Sequence, residues 1–142
     1  MIFKTSIDKK EKELEIEKIT GKSYGIIEKI SLGIYGSPKY KIIDIYPENI
    51  SFKKNNDIIS CNFEIKKSGL AMYFRIVNEE YALVGRFNQI TFQTSESHFE
   101  LQISGIAIKT KIISPKEHMS FLKTYSKHRT FPEDTNPTIA KI

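Results

Sequence analysis

The chain has 142 residues, and its 22 lysines and arginines outnumber its 17 aspartates and glutamates, which gives a formal net charge of +5. This length fits one domain, and an apolar content of 39% suffices for a packed core, which excludes a disordered chain. The chain lacks the run of roughly 18 apolar residues that a membrane-spanning helix needs. The single cysteine, Cys61, excludes an intrachain disulfide framework and a cysteine-based zinc cluster. Because the first residues also lack the apolar stretch of a secretory signal, we expect a cytoplasmic protein, and no cofactor is predicted.

The first 38 residues are predicted to form an N-terminal extension that is either helical or a loosely held arm. Residues 7–22 carry charges of both signs at spacings of three and four, which favours an exposed helix. Residues 24–35 fit both helical and strand spacing, so the pattern leaves that choice open. A break follows between Gly33 and Pro38.

From Tyr40 to Ile112 the chain alternates apolar and polar residues in short runs that end in polar turns. The turns recur about every 8–12 residues, which is typical of an antiparallel sandwich or barrel. Helix-length patterns do not separate these runs, which argues against a parallel sheet. Gly85 is predicted to interrupt its strand with a bend or bulge. The predicted strands are 40–46, 50–53, 58–66, 70–77, 81–84, 90–92, 99–103 and 106–112.

A helix is predicted over residues 115–129 from the signals at its start. Ser114 supplies an N-cap hydroxyl, Pro115 suits the first helical position, and Glu117 can return a bond to the cap. The apolar stripe expected to pack on the sheet consists of Met119, Leu122 and Tyr125, with Phe121 beside them.

The positive excess lies near the C-terminus. Between Gly105 and Thr130 there are six cationic residues and one acid, whereas the rest of the chain is balanced. A solvated helix face and strand lysines are the commoner explanation for such a segment. The alternative is an anionic partner, which would be a membrane surface, a nucleic acid or an acidic protein. On this second interpretation, the candidate ligand-binding residues are Lys109, Lys111, Lys123, Lys127 and Arg129.

The series of strands followed by one capped amphipathic helix resembles the bacterial pleckstrin-homology-like (PH-like) domain family. The resemblance implies a mainly β fold, an antiparallel two-sheet, partly open barrel of about seven strands capped by a C-terminal α-helix. This domain would span residues 39–130, with 1–38 as the extension and 131–142 as a tail. The residues that carry the resemblance are Ile50–Phe52, the strands 58–66 and 70–77, the stretches 86–90 and 99–103, and the helix from Ser114 to Arg129.

The resemblance implies a non-enzymatic module that receives a protein or peptide in the groove between the C-terminal helix and a neighbouring strand. Phosphoinositide binding is not implied, because the first two strands lack the Lys-x-Arg-type cluster of the lipid-binding members. Separately, alternation predicts that Tyr73 and Arg75 face outward. There a solvated tyrosine is the commoner explanation, and stacking of single-stranded bases is the alternative.

Catalytic and metal-binding chemistry is not predicted from the reactive side chains. Cys61 alternates with core positions, so it is expected to be buried and inert. His98, His118 and His128 are interpreted as surface residues, and the last two are about 15 Å apart on one helix, too far to share a metal ion. A hydrolase or transferase would need one of these groups, or a carboxylate, inside a pocket. The acid pairs considered are Asp44 with Glu48, Glu79 with Glu80, and Glu133 with Asp134.

Overall fold

The computed structural model describes residues 2–5, 8–34, 36–46, 59–76 and 79–129. These residues form one open, eight-stranded sheet in which every pair of neighbouring strands is antiparallel. The strand order is β1-β5-β4-β3-β2-β8-β7-β6. In chain order, the elements are β1 (Ile2–Lys4), α1 (Lys9–Thr20), α2 (Ile26–Leu32), β2 (Tyr40–Tyr46), β3 (Ser60–Ile65), β4 (Gly69–Ile76), β5 (Glu79–Arg86), β6 (Ile90–Thr94), β7 (His98–Ile103), β8 (Ile106–Ile112) and α3 (Pro115–His128).

The antiparallel sheet and the C-terminal helix predicted from the sequence are confirmed. The molecule is mixed α/β rather than mainly β, because the N-terminal extension contributes two helices and a strand. That strand, β1, has only three residues, too few to show a period, and it pairs with β5 through Ile2 and Leu83. The predicted strand 50–53 and the tail 131–142 lie outside the described residues.

The main core lies on the inner face of the sheet, which is the side covered by α3. Alternation along the strands directs one set of side chains to this face, as predicted. Aromatic rings from β2, β3, β7 and α3 meet there at centroid distances of 5.4–5.9 Å. These rings, which fix α3 against the middle of the sheet, belong to Tyr40, Phe63, Phe99 and Phe121.

A second, smaller core lies on the opposite or outer face of the sheet, beneath α1. Ile16 of α1 packs with Phe3, Ala71, Ala82 and Val84, all of which are buried. Alanines on β4 and β5 have short side chains, which let the helix backbone approach the sheet closely. The N-terminal extension is therefore a second layer on the sheet, and the prediction of an exposed helix is wrong for this face of α1.

Gly85 does not interrupt β5, because it pairs in regular register with Leu70. The predicted bend or bulge is therefore wrong. A Cβ at this position would lie 2.8 Å from a methyl carbon of Ile103, so glycine is needed for a close approach between β5 and β7. Ser104, in the turn after β7, donates its N–H to the carbonyl of Gln89 at 3.0 Å. The sheet therefore curls until the β7–β8 turn meets the end of β5.

Helix α3 begins at Pro115 as predicted, but the predicted capping box is absent. The Ser114 side chain makes no capping hydrogen bond, and its carbonyl accepts the first helical bond from the N–H of His118 at 2.9 Å. Because proline has no backbone N–H, the first turn of α3 has one donor fewer that needs a partner, and the helix can begin without a side-chain cap bond.

Candidate functional site

Strand β6 lies at one end of the sheet and, within the described residues, pairs only with β7. Ser95 donates its N–H to the carbonyl of His98 across the hairpin, at 2.9 Å. Because backbone groups alternate in direction along an antiparallel strand, those of Phe92 and Thr94 then point away from β7. The structure thus presents an edge strand with outward-directed donors and acceptors.

Helix α3 lies directly beside this edge. The ring of Tyr125 packs against the ring of Phe92 at a centroid distance of 5.9 Å. The Thr94 hydroxyl lies 2.8 Å from Nε2 of His118. Side chains of β6 and α3 therefore contact each other along this edge, and we call the surface where the two elements adjoin the β6–α3 groove.

His118 is buried in the core, so its interpretation as a surface residue is wrong. This residue is 2% exposed, and its Nδ1 forms a hydrogen bond with the Tyr40 hydroxyl, which is also buried. Burial lowers the pKa of His118 and raises that of Tyr40, so both groups are neutral. The Thr94 hydroxyl donates toward the carbonyls of Ser95 and His98, so we assign Nε2–H as the donor to Thr94 and Nδ1 as the acceptor from Tyr40. This buried chain of hydrogen bonds joins β2, α3 and β6.

The spacing of His118 from other residues of α3 is a sequence pattern that indicates its burial. His118 lies three, four and seven residues before Phe121, Leu122 and Tyr125, which are buried on the same face of α3. The histidine therefore belongs to the apolar stripe. Met119, which was predicted in that stripe, is instead 51% exposed.

The two basic residues of β8 lie on the outer face of the sheet. Lys109 pairs in register with Asp44 on β2 and with Glu100 on β7, so acids flank it on both sides. Lys111 pairs in register with Lys41, and the local charge there is positive. The positive charge of Lys109 is therefore largely offset by its two acidic neighbours.

The other three basic candidates belong to α3. Lys123 and Lys127 are exposed on the helix, and Arg129 directly follows it. Burial raises the pKa of Tyr125 to about 12, and the nearby Arg129 opposes that rise. Since α3 packs on the inner face, the five predicted residues form two groups on opposite sides of the sheet.

Helix α2 presents an apolar surface to solvent, an outcome that the sequence pattern left open. None of its residues is buried. It is held to the rest of the molecule by an ion pair between Glu28 and Lys67 at 3.3 Å and by a hydrogen bond from His128 to the Leu32 carbonyl at 3.1 Å. Its exposed apolar side chains, 43–80% accessible, are Ile26, Ile27, Ile30 and Leu32.

The thiol and the carboxylates considered for catalysis are either buried or bonded to neighbouring side chains. Cys61 is buried as predicted, and burial raises its pKa to about 12, so the nucleophilic thiolate does not form near neutral pH. Glu80 accepts hydrogen bonds from Thr5 at 2.7 Å and from Arg75 at 3.1 Å. Glu79 pairs with Lys4 at 3.5 Å. The adjacent carboxylates are therefore tied to neighbouring side chains rather than simply solvated.

Comparison of the chain with known proteins finds no similar one. The chain matches no protein-family model, no curated protein and no solved structure. Among the helices that the structure describes, none has the length and apolar character needed to cross a membrane. Within the same residues, no group of three or more histidine, cysteine, aspartate or glutamate side chains is placed to hold a metal ion.

Proposed function

We propose that the protein is a non-enzymatic, PH-like binding module that takes a partner peptide as an added strand on β6, within the β6–α3 groove. The observation that carries this proposal is the outward direction of the Phe92 and Thr94 backbone groups on an edge strand beside a helix. Strand addition gains affinity from main-chain hydrogen bonds, and pockets for alternate side chains give specificity.

The proposed PH-like barrel is supported by the way the sheet curls. Strands β2–β5 form one meander and β6–β8 another, joined where β2 pairs with β8. The turn 87–89 leads directly from β5 into β6, and Ser104 bonds Gln89 at that corner. Helix α3 covers the interior, as the resemblance implies for residues 39–130.

The chemistry of the groove favours a peptide with both apolar and acidic residues. Met119 is half-exposed on α3, is not among the residues that line the hollow beside Gly36 and Pro38, and offers an apolar contact. Lys123 lies four residues later on the same side of the helix and is exposed. A partner strand with an apolar residue next to a carboxylate would satisfy both positions.

The proposal is tested by selecting binders from a displayed random peptide library on the full chain and mapping the contacts by amide chemical shifts. We expect the largest shifts at Phe92 and Thr94. Methylating alternate backbone nitrogens of a selected peptide should weaken binding by about tenfold or more for one alternate set, because only that set faces β6.

Side-chain substitution supplies the matched comparison. Met119→Lys should weaken peptide binding, whereas Leu14→Lys, at a residue of α1 that is 56% exposed, should not. Shifts centred on α2, or equal effects of both methylation patterns, would contradict strand addition.

The alternative function is binding of a polyanion, either an anionic phospholipid surface or a nucleic acid, through the basic strand and helix. The exposed Lys123 and Lys127 on α3 favour it. Binding to phosphatidylserine vesicles or to an oligonucleotide should then fall steeply with salt and be lost on charge reversal of both lysines. If neither the vesicles nor the oligonucleotide binds the wild-type chain at low salt, the peptide module is the better account.

A further inference from the structure

A cavity of about 490 Å³ lies on the outer face of the sheet, on the side opposite the β6–α3 groove. Helix α1 forms one wall through Lys9, Glu13 and Ile16. Strands β3 and β4 form the other wall, which includes Asn62 and Tyr73. The cavity begins where the small outer core ends at Ile16, and its volume is within the range of small-molecule sites.

Lys66 lines this cavity in an unusual state for a lysine. It is 6% exposed, and no hydrogen bond or ion pair joins its side chain to another described residue. Its aliphatic stem is covered, while its ammonium group is not itself buried and faces the open space of the cavity, where an anion can reach it. The next residue shows the ordinary arrangement, since Lys67 is exposed and paired with Glu28.

The other charged groups of the cavity favour an anion. Lys9, Lys39 and Arg75 line it together with Lys66, against two acids. One of those acids, Glu80, is already bonded to Arg75 and to a threonine hydroxyl, which leaves three lysines against Glu13, an excess of two positive charges. A concave site with one sign of charge concentrates ligands of the opposite sign.

The segment before β2 brings a second cation and a neutral donor together. The Ser37 hydroxyl accepts the N–H of Phe63 at 2.7 Å, which holds this segment along β3. Tyr40 pairs with Cys61, so Lys39 and Asn62 occupy adjoining positions on the outer face. Both line the cavity with Lys66.

We propose that this cavity binds a small phosphate ester, whose phosphoryl group lies between Lys39 and Lys66 and accepts a hydrogen bond from the Asn62 amide. A phosphate monoester carries about −1.5 to −2 charges near pH 7, which suits several lysines better than a single carboxylate does. The organic part of the ligand packs on Ile16 and the ring of Tyr73, which supply the apolar wall.

The experiment measures thermal unfolding and titration calorimetry of the full chain with inorganic phosphate, pyrophosphate, glucose 6-phosphate and AMP. Glucose and adenosine are the unphosphorylated controls. At about 100 times its Kd, a phosphate ester should raise Tm by about 5–10 °C, and the matching control should not. Equal binding of inorganic phosphate and the esters would show that the site takes the free anion, which would overturn the ester assignment. If no probe changes Tm at millimolar concentration, the proposal is wrong.

Substitution at Lys66 separates a ligand site from a structural lysine. Lys66→Met keeps the aliphatic stem and removes the charge, so it should weaken ester binding by about tenfold or more while leaving the Tm of the ligand-free protein almost unchanged. Lys67→Met is the control and should leave affinity unchanged. Lys39→Met, at an exposed position, serves if Lys66→Met does not fold, and it should also weaken binding. Wild-type affinity in both cavity variants would overturn the proposal.

Discussion

Replacing Tyr40 by phenylalanine tests whether the buried chain of hydrogen bonds holds α3 on the sheet. The substitution removes only the hydroxyl, so the ring contacts with Phe63 and Phe99 at 5.4 Å remain and no cavity forms. His118, which is 2% exposed, loses the donor to Nδ1. Leaving a buried acceptor without a partner costs about 1–3 kcal/mol, which lowers the free energy of unfolding by that amount.

The measurement is equilibrium unfolding in urea, followed by circular dichroism. Tyr46→Phe is a matched control in the same strand, because Tyr46 is 72% exposed and its loss of a hydroxyl should change stability by less than about 0.5 kcal/mol. In a His118→Phe background, Tyr40→Phe should be almost neutral, since the acceptor is already gone. Equal stability of Tyr40→Phe and Tyr46→Phe in the otherwise wild-type chain would refute the reasoning.

Three further predictions concern backbone packing, pH and thiol reactivity. Gly69→Ala should destabilise the protein by about 3 kcal/mol or more, because its Cβ would lie far inside van der Waals contact with the Gly85 carbonyl oxygen. Gly36→Ala is the control and should be tolerated, because a Cβ there meets nothing within 4 Å. Thermal unfolding compares the two variants, and equal Tm values would contradict this packing. Stability should fall as pH decreases below about 6.5, because burial lowers the pKa of His118 in the folded protein and the unfolded chain takes up the proton first; a ΔG of unfolding with the same pH profile in His118→Phe would count against this assignment. Cys61 should react with a thiol reagent only on unfolding, as its raised pKa of about 12 and its burial imply, and rapid labelling of the native chain would show otherwise.

The sequence predicted the elements that have a strong local period. Strict alternation around Cys61 and Phe63 gave β3 and the direction of its side chains, and the start signal at Pro115 located α3. Each strand must direct one set of residues to the common core, so the alternation that reveals it can be read within the strand itself. Gly85 was misread because its role is a contact with Ile103, which alternation along its own strand does not reveal.

The resemblance implied a groove beside the C-terminal helix, but the strand that borders it and the cavity on the outer face depend on contacts between distant parts of the chain. Lys66 continues the polar side of β3, where a lysine is expected to be exposed, yet it is 6% exposed and lines a cavity that α1 also borders. The edge position of β6 follows from the pairing of β2 with β8, which no local pattern encodes. The basic residues were grouped by their proximity in sequence, and the sheet places them on two sides.

The pairing of β1 with β5 also determines the order in which the molecule is completed. Thr5 donates its N–H to the carbonyl of Glu80 at 2.8 Å, across 75 residues of chain. During synthesis the amino-terminal layer must therefore wait for β5 to emerge before it can dock. A truncated product that lacks residues 1–20 would leave Ala71, Ala82 and Val84 uncovered. A bulky fusion next to Ile2 would strain the pairing of β1 with β5.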